Sequence, residues 1–205
     1  IESKQYVGGA INIGVYGKVG SQKSSYKLLN ALEKMSKAKS VFNFLNIALG
    51  DSRQLRKYFK NIIKSKYLKE NTIILRPIPH YKIMPFLDVC DVAIFLENNF
   101  DVAHTSTVPL EILISGACLI CSKEIVQSLG LGEVLINNYN AILVDNPRDE
   151  MEIESKILFC LENRDECEKI GKRGKSTIYN LNNAQNFQKT TAKEIINILN
   201  NVNPK

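Results

Sequence analysis

The stretch Gly17, Lys18, Val19, Gly20, Ser21, Gln22, Lys23 and Ser24 lies between a β-branched run and a run with helical spacing. Two glycines let a ligand approach the backbone closely, and the N–H groups at a helix start suit an anion. From Ile11 to Leu32 there is no carboxylate, yet Lys18, Lys23 and Lys27 are present. Cations near a helix N-terminus oppose its dipole, and a bound anion reverses that penalty. The chemistry suggested is phosphate binding; the bland alternative is a solvated turn in a lysine-rich chain. The stretch is not a P-loop, which needs Gly-Lys-Ser/Thr in sequence, nor a Gly-x-Gly-x-x-Gly fingerprint.

A second candidate is Arg76-Pro77-Ile78-Pro79-His80, stiffened by two prolines. It offers backbone atoms and Ile78 to a flat ring, or it is a plain turn. The third is Ala103-His104-Thr105-Ser106-Thr107-Val108-Pro109-Leu110-Glu111. Pro109 suits the first helical position, which places Glu111 near the third. There a carboxylate can cap the helix through the backbone. Alternatively, hydroxyls and N–H groups around Ser106 and Thr107 hold a phosphate while Glu111 takes a diol such as ribose.

These loops must be carried by regular elements. Apolar or β-branched runs at 11–16, 41–49, 72–75, 92–96, 117–121 and 141–144 read as strands. Helical spacing covers 24–37, 52–69, 81–90 and 109–115. From 151 onward the chain reads as helices at 151–163, 165–179 and 184–200. Strand–helix alternation with near-continuously apolar strands predicts an α/β domain, a doubly wound parallel sheet with a C-terminal helical tail. All three loops then fall at the carboxyl ends of strands, where such sheets bind ligands.

The chain has 205 residues, 44% of them apolar and 23% charged, which excludes disordered and collagen-like classes. No apolar run reaches the ~18 residues that span a bilayer. The net charge of +6 suits phosphate-bearing ligands or an anionic membrane face. The basic 60–69 segment reads as a solvated face, since no aromatic platform accompanies it, so no nucleic-acid partner is expected. Cys90, Cys118, Cys121, Cys160 and Cys167 sit mostly in apolar runs and read as buried thiols of a reducing compartment. Neither an Asp-x-Asp pair nor a His/Cys cluster with ligand spacing occurs, so no metal or other cofactor is expected.

Taken together, the segments resemble the C-terminal, donor-binding half of a GT-B glycosyltransferase of the family 4 type (glycosyl transferases group 1). The family's first loop runs Gly-Arg-Leu-x-x-x-Lys-Gly; Gly17, Lys18, Val19 and Lys23 stand in that order, with Lys for Arg. Residues 74–79 resemble its base-binding loop. Val108-Pro109-Leu110-Glu111, followed by 112–116, resembles Pro-Leu-Glu-Ala-x-Ala-x-Gly, the most specific match. Residues 137–145 resemble Asn-Gly-x-Leu-Val, and 162–178 the closing helices. The family carries a further glutamate upstream; Ala103 stands there, with Asp101 and His104 the nearest polar substitutes. His104-Thr105-Ser106 before Val-Pro-Leu-Glu is similar to a rhamnosyltransferase subgroup that also lacks that glutamate.

The resemblance implies a Rossmann-like half of a GT-B fold over residues 1–205, with a missing N-terminal domain holding the acceptor. It implies transfer, with retention, of a hexose or deoxyhexose from a nucleoside-diphosphate sugar to a glycan, lipid-linked or other cell-envelope acceptor, as in bacterial polysaccharide biosynthesis. Lys18 and Lys23 would neutralise the diphosphate during catalysis. Gly17, Ile78, His104, Ser106, Thr107, Val108 and Glu111 would bind the donor. The expected location is cytoplasmic, with peripheral contact at the inner membrane face compatible with the charge. A non-catalytic nucleotide-sugar-binding or interaction domain of the same fold is the alternative. Half a cleft alone is expected to lack transferase activity.

Overall fold

The computed structural model describes residues 9–38, 40–98 and 106–181. The expected helix at 184–200, and His104, Asp101 and Ala103, lie outside them.

Strands β1 (Ile11–Lys18), β2 (Phe42–Leu49), β3 (Thr72–Ile74), β4 (Val92–Phe95), β5 (Cys118–Ser122) and β6 (Ile142–Val144) form one sheet. The order is β3-β2-β1-β4-β5-β6, and every pair is parallel. β1 and β2 are in register from Ile11↔Phe42 to Lys18↔Leu49. Parallel strands covered on both faces need apolar residues at nearly every position, and β4 and β5 are buried throughout. The order reverses between β1 and β4, the switch point at which doubly wound sheets open a crevice.

Helices α1 (Ser25–Lys37), α2 (Ser52–Lys64), α3 (Lys66–Asn71) and α7 (Glu150–Glu162) cover one face. Leu28, Leu32, Tyr58, Ile62, Leu68, Ile153 and Ile157 meet Ile13, Phe44 and Ile94 there. Helices α4 (Ile83–Asp88), α5 (Val108–Ser115) and α6 (Lys123–Ser128) cover the other through Phe86, Leu87, Ile112, Leu113 and Ile125. Helix α8 (Arg164–Leu181) serves both cores: Cys167 and Ile170 belong to the first and Ile178 to the second. It therefore crosses the starting edge of the sheet. Gly171 makes that crossing feasible, because a Cβ there would stand 2.3 Å from the Gly116 carbonyl oxygen.

Three local expectations are corrected. The single helix at 52–69 is two, because Ser65 turns extended (ψ 115°) and its hydroxyl accepts from the Leu68 N–H at 3.2 Å, starting α3 afresh. Helix α6 follows β5 directly and is too short for periodicity to show. Helix α5 begins one residue early, at Val108, so Pro109 occupies its second position.

Candidate functional site

The carboxyl ends of β1 and β4, the 75–79 segment and the start of α5 converge at one edge of the sheet. Tyr16, the third-last residue of β1, packs edge-on against Phe86 at 6.3 Å. Its hydroxyl donates to Glu111 Oε2. The Thr107 hydroxyl donates to Glu111 Oε1 at 2.8 Å, and His80 Nε2 lies 3.2 Å from the same oxygen. Thr107, at the N-cap of α5, makes no side-chain bond to the helix backbone. The capping role open for Glu111 is thus not the one adopted: its carboxylate faces three side chains from three elements. Ile78, Val108 and Leu110 pack beside Tyr16 on the same core, and the Ser106 hydroxyl accepts from the Val108 N–H at 3.4 Å.

Burial raises the Glu111 pKa, but the hydrogen bonds from Tyr16, Thr107 and His80 outweigh it and hold the carboxyl below its usual range. Burial, then Glu111 itself, pushes the Tyr16 phenol far up, so it stays a donor. A lowered folded pKa contributes stability above the unfolded value of ~4.3, and that contribution is lost as pH falls through the folded value. Urea midpoints measured against pH should therefore fall less steeply below pH ~4 in Glu111→Gln than in wild type. Identical acid limbs would contradict the assigned network.

The lysine loop is tied to β4. Asn98 bonds Gln22 O through its N–H at 2.8 Å, and its side-chain amide donates to Ser21 O and Ser24 Oγ at 2.8 and 2.7 Å. Lys23 pairs with the buried Glu97 and lies 5.4 Å from the centre of the Phe95 ring. Lys27 bonds Glu150 at 2.9 Å, and with Asn30 it holds that carboxyl below its ordinary range. The run from 11 to 32 lacks acids, but the fold supplies two from 74 and 123 residues away. Lys18 is exposed and, among the described residues, has no ion pair. Gly17 has φ +118°, a conformation that disfavours a side chain, and a Cβ there would meet nothing within 4 Å.

Ser24 precedes α1 in the left-handed region (φ 49°), its hydroxyl accepts from Asn98 and not from an N–H of the helix, and the first turn holds no acidic residue. A cavity of about 400 Å³ opens there, with Ser21, Ser24, Lys27, Asn98 and Arg148 among its walls. Arg148 donates to the Asn98 carbonyl at 2.9 Å.

An uncapped, lysine-flanked helix start and a hydroxyl-bonded glutamate thus share one edge of a doubly wound sheet. Residues 4–177 match the family described as Glycosyl transferases group 1. The chain belongs to this family. No curated protein matches the sequence. Among solved structures, the C-terminal domain of the glycosyl transferase group 1 family protein LpcC from Francisella tularensis is similar at 17% identity. The match has a TM-score of 0.71 and covers 83% of this chain and 85% of that one. Anabaena HepE, solved in complex with UDP, matches at 15% identity and TM-score 0.74, covering 92% of this chain and 49% of that one. Sucrose-phosphate synthase from Thermosynechococcus elongatus matches at 16% and 0.70, covering 93% and 46%. The chain spans about half the length of the latter two. The fold of this glycosyl transferases group 1 chain is that of a GT-B C-terminal domain, and no helix among its described residues is long and apolar enough to cross a membrane.

The edge gathers the expected Gly17, Lys18, Lys23, Ile78, Ser106, Thr107, Val108 and Glu111. Sequence reasoning missed Tyr16, Glu97, Asn98 and Arg148, and His80 as a partner of Glu111. Tyr16 and Glu97 carry a faint signal: each is a polar-ended residue where an apolar strand closes.

Proposed function

We propose that residues 1–205 form the donor-binding half of a retaining glycosyltransferase using a nucleoside-diphosphate sugar. The observation that carries this reading is Glu111, ionised and bonded by Tyr16, Thr107 and His80 at the switch-point edge beside the lysine loop. An ionised carboxylate accepts two hydroxyl hydrogens, as a ribose diol requires. His80, whose side chain is 84% exposed, swings aside for the diol while Tyr16 and Thr107 keep the carboxylate aimed. Ile78 and the proline-stiffened backbone beside it flank the base. Lys18 and Lys23 neutralise the diphosphate as charge grows on the leaving group, and the Ser106 hydroxyl, the Thr107 backbone N–H and the start of α5 hold its terminal phosphate. The acceptor, a glycan or other cell-envelope molecule, is bound by another domain of the whole protein, so this half alone does not transfer sugar. The UDP complexes of HepE support a nucleotide-sugar partner.

Lys18 supplies the cleanest test, because it holds no ion pair among the described residues. Lys18→Ala should weaken nucleoside-diphosphate binding by ~1–2 kcal/mol, roughly five- to thirtyfold in Kd, with the melting temperature unchanged. Unaltered affinity by calorimetry would count against the diphosphate assignment.

Ala103, where the family carries a glutamate, favours a second reading: a non-catalytic nucleotide-sugar-binding domain. Donor turnover by the whole protein with its acceptor decides between them; binding without turnover selects the second.

A further inference from the structure

Three of the five cysteines meet at the opposite edge of the sheet from the candidate site. Cys118 opens β5, Cys160 lies in the last turn of α7, and Cys167 lies in the first turn of α8. Their sulfurs all lie within 4.8 Å of one another, and all three side chains are buried. The fold enforces this meeting. Gly171 seats the α8 backbone directly on residues 116–118. Cys167, one helical turn before Gly171, therefore faces Cys118. A single residue, Asn163, separates α7 from α8 and fixes Cys160 beside Cys167. Among the described residues no carboxylate or imidazole joins the group, so the donor set is sulfur alone.

The geometry points to a trithiol site, formed by Cys118, Cys160 and Cys167, for a thiophilic metal or metalloid ion. Soft sulfur donors select soft ions over the hard cations that carboxylates and carbonyls prefer. Metal–sulfur bonds of about 2.3 Å at tetrahedral angles set the sulfurs about 3.8 Å apart, and the narrower pyramid of trivalent arsenic sets them about 3.3 Å apart, so a group now within 4.8 Å must draw in by at most about 1.5 Å. Charge decides the form of the complex, because an unpaired charge in an apolar core is costly. Trivalent arsenic is neutral with three thiolates: three As–O bonds of As(OH)₃ break, three As–S bonds form, and the thiol protons leave as three waters. Zinc takes cysteine as thiolate, so three cysteines would leave it with a net negative charge in this apolar core, and it is the weaker-binding comparison ion. No electron changes hands in either case.

The test titrates the reduced 205-residue chain, without oxygen, with Zn²⁺ and separately with sodium arsenite, followed by native mass spectrometry. One arsenic per chain is expected from arsenite, with no net proton release and a raised melting temperature, and zinc should bind more weakly. Cys118→Ser, Cys160→Ser and Cys167→Ser should each lower affinity at least tenfold, whereas Cys90→Ser and Cys121→Ser should not. The wild type gives a second readout. Bound ion should protect three of five thiols from iodoacetamide in moderate urea, and peptide mapping should find them at 118, 160 and 167. No binding of either ion overturns the proposal, as does protection of any other set of thiols. This outcome is independent of nucleotide binding at the other edge.

Discussion

Lys23→Ala should lower stability by about 2–3 kcal/mol and also weaken nucleoside-diphosphate binding. The ammonium pairs with Glu97, whose side chain is 4% exposed, while that of Lys23 is 19% exposed. Removing one partner of a buried pair costs ~3–5 kcal/mol; water reaching Lys23 places this pair at or below the low end. Glu97 also cancels much of the charge that the diphosphate would meet. Two controls separate these effects. Lys23→Ala with Glu97→Gln should recover most of the stability but not the affinity, because the buried carboxylate is gone and the cation is still missing. Glu97→Gln alone should tighten nucleoside-diphosphate binding, because Lys23 is freed for the phosphates. Urea denaturation and calorimetry on the three variants check this. Restored affinity in the double variant would show that Lys23 is purely structural.

Glu111→Gln should weaken nucleoside-diphosphate binding by roughly 1–3 kcal/mol, up to about two orders of magnitude in Kd, and leave pyrophosphate binding unchanged. Gln offers one neutral acceptor oxygen in place of two charged ones. That oxygen can still accept from Tyr16, and the new amide can donate to the Thr107 hydroxyl, so the melting temperature at neutral pH should move little. Paired titrations of nucleotide and pyrophosphate on both proteins check this. Equal loss of both ligands, or of neither, would show that Glu111 does not hold the ribose.

The sheet was legible because its central strands are apolar runs between polar stops that alternate with helical segments, as a parallel sheet covered on both faces requires; the edge strand β3 leaves Ile73 and Ile74 exposed. The break at Ser65 was not, because Tyr58, Ile62 and Leu68 keep an apolar stripe across it while one hydroxyl makes a local bond. The loop residues at the site were legible by type and spacing. Their charge balance was not: Glu97 and Glu150 reach Lys23 and Lys27 only through the β1–β4 pairing and the packing of α7 on α1. Tyr16 ends a β-branched run and reads as core until its hydroxyl is placed against Glu111. The three thiols have no ligand spacing in sequence, and one strand and two helices are needed to gather them.

The most direct test of the donor-site assignment is a crystal structure of the chain soaked with UDP, GDP or dTDP. The expected result places the diphosphate over residues 17–24, with the ammonium groups of Lys18 and Lys23 within about 3.2 Å of its oxygens. The ribose hydroxyls should lie on the Glu111 carboxylate, with His80 displaced. A nucleotide whose ribose lies away from Glu111, phosphates bound off the lysine loop, or no bound nucleotide at saturating concentration would contradict it.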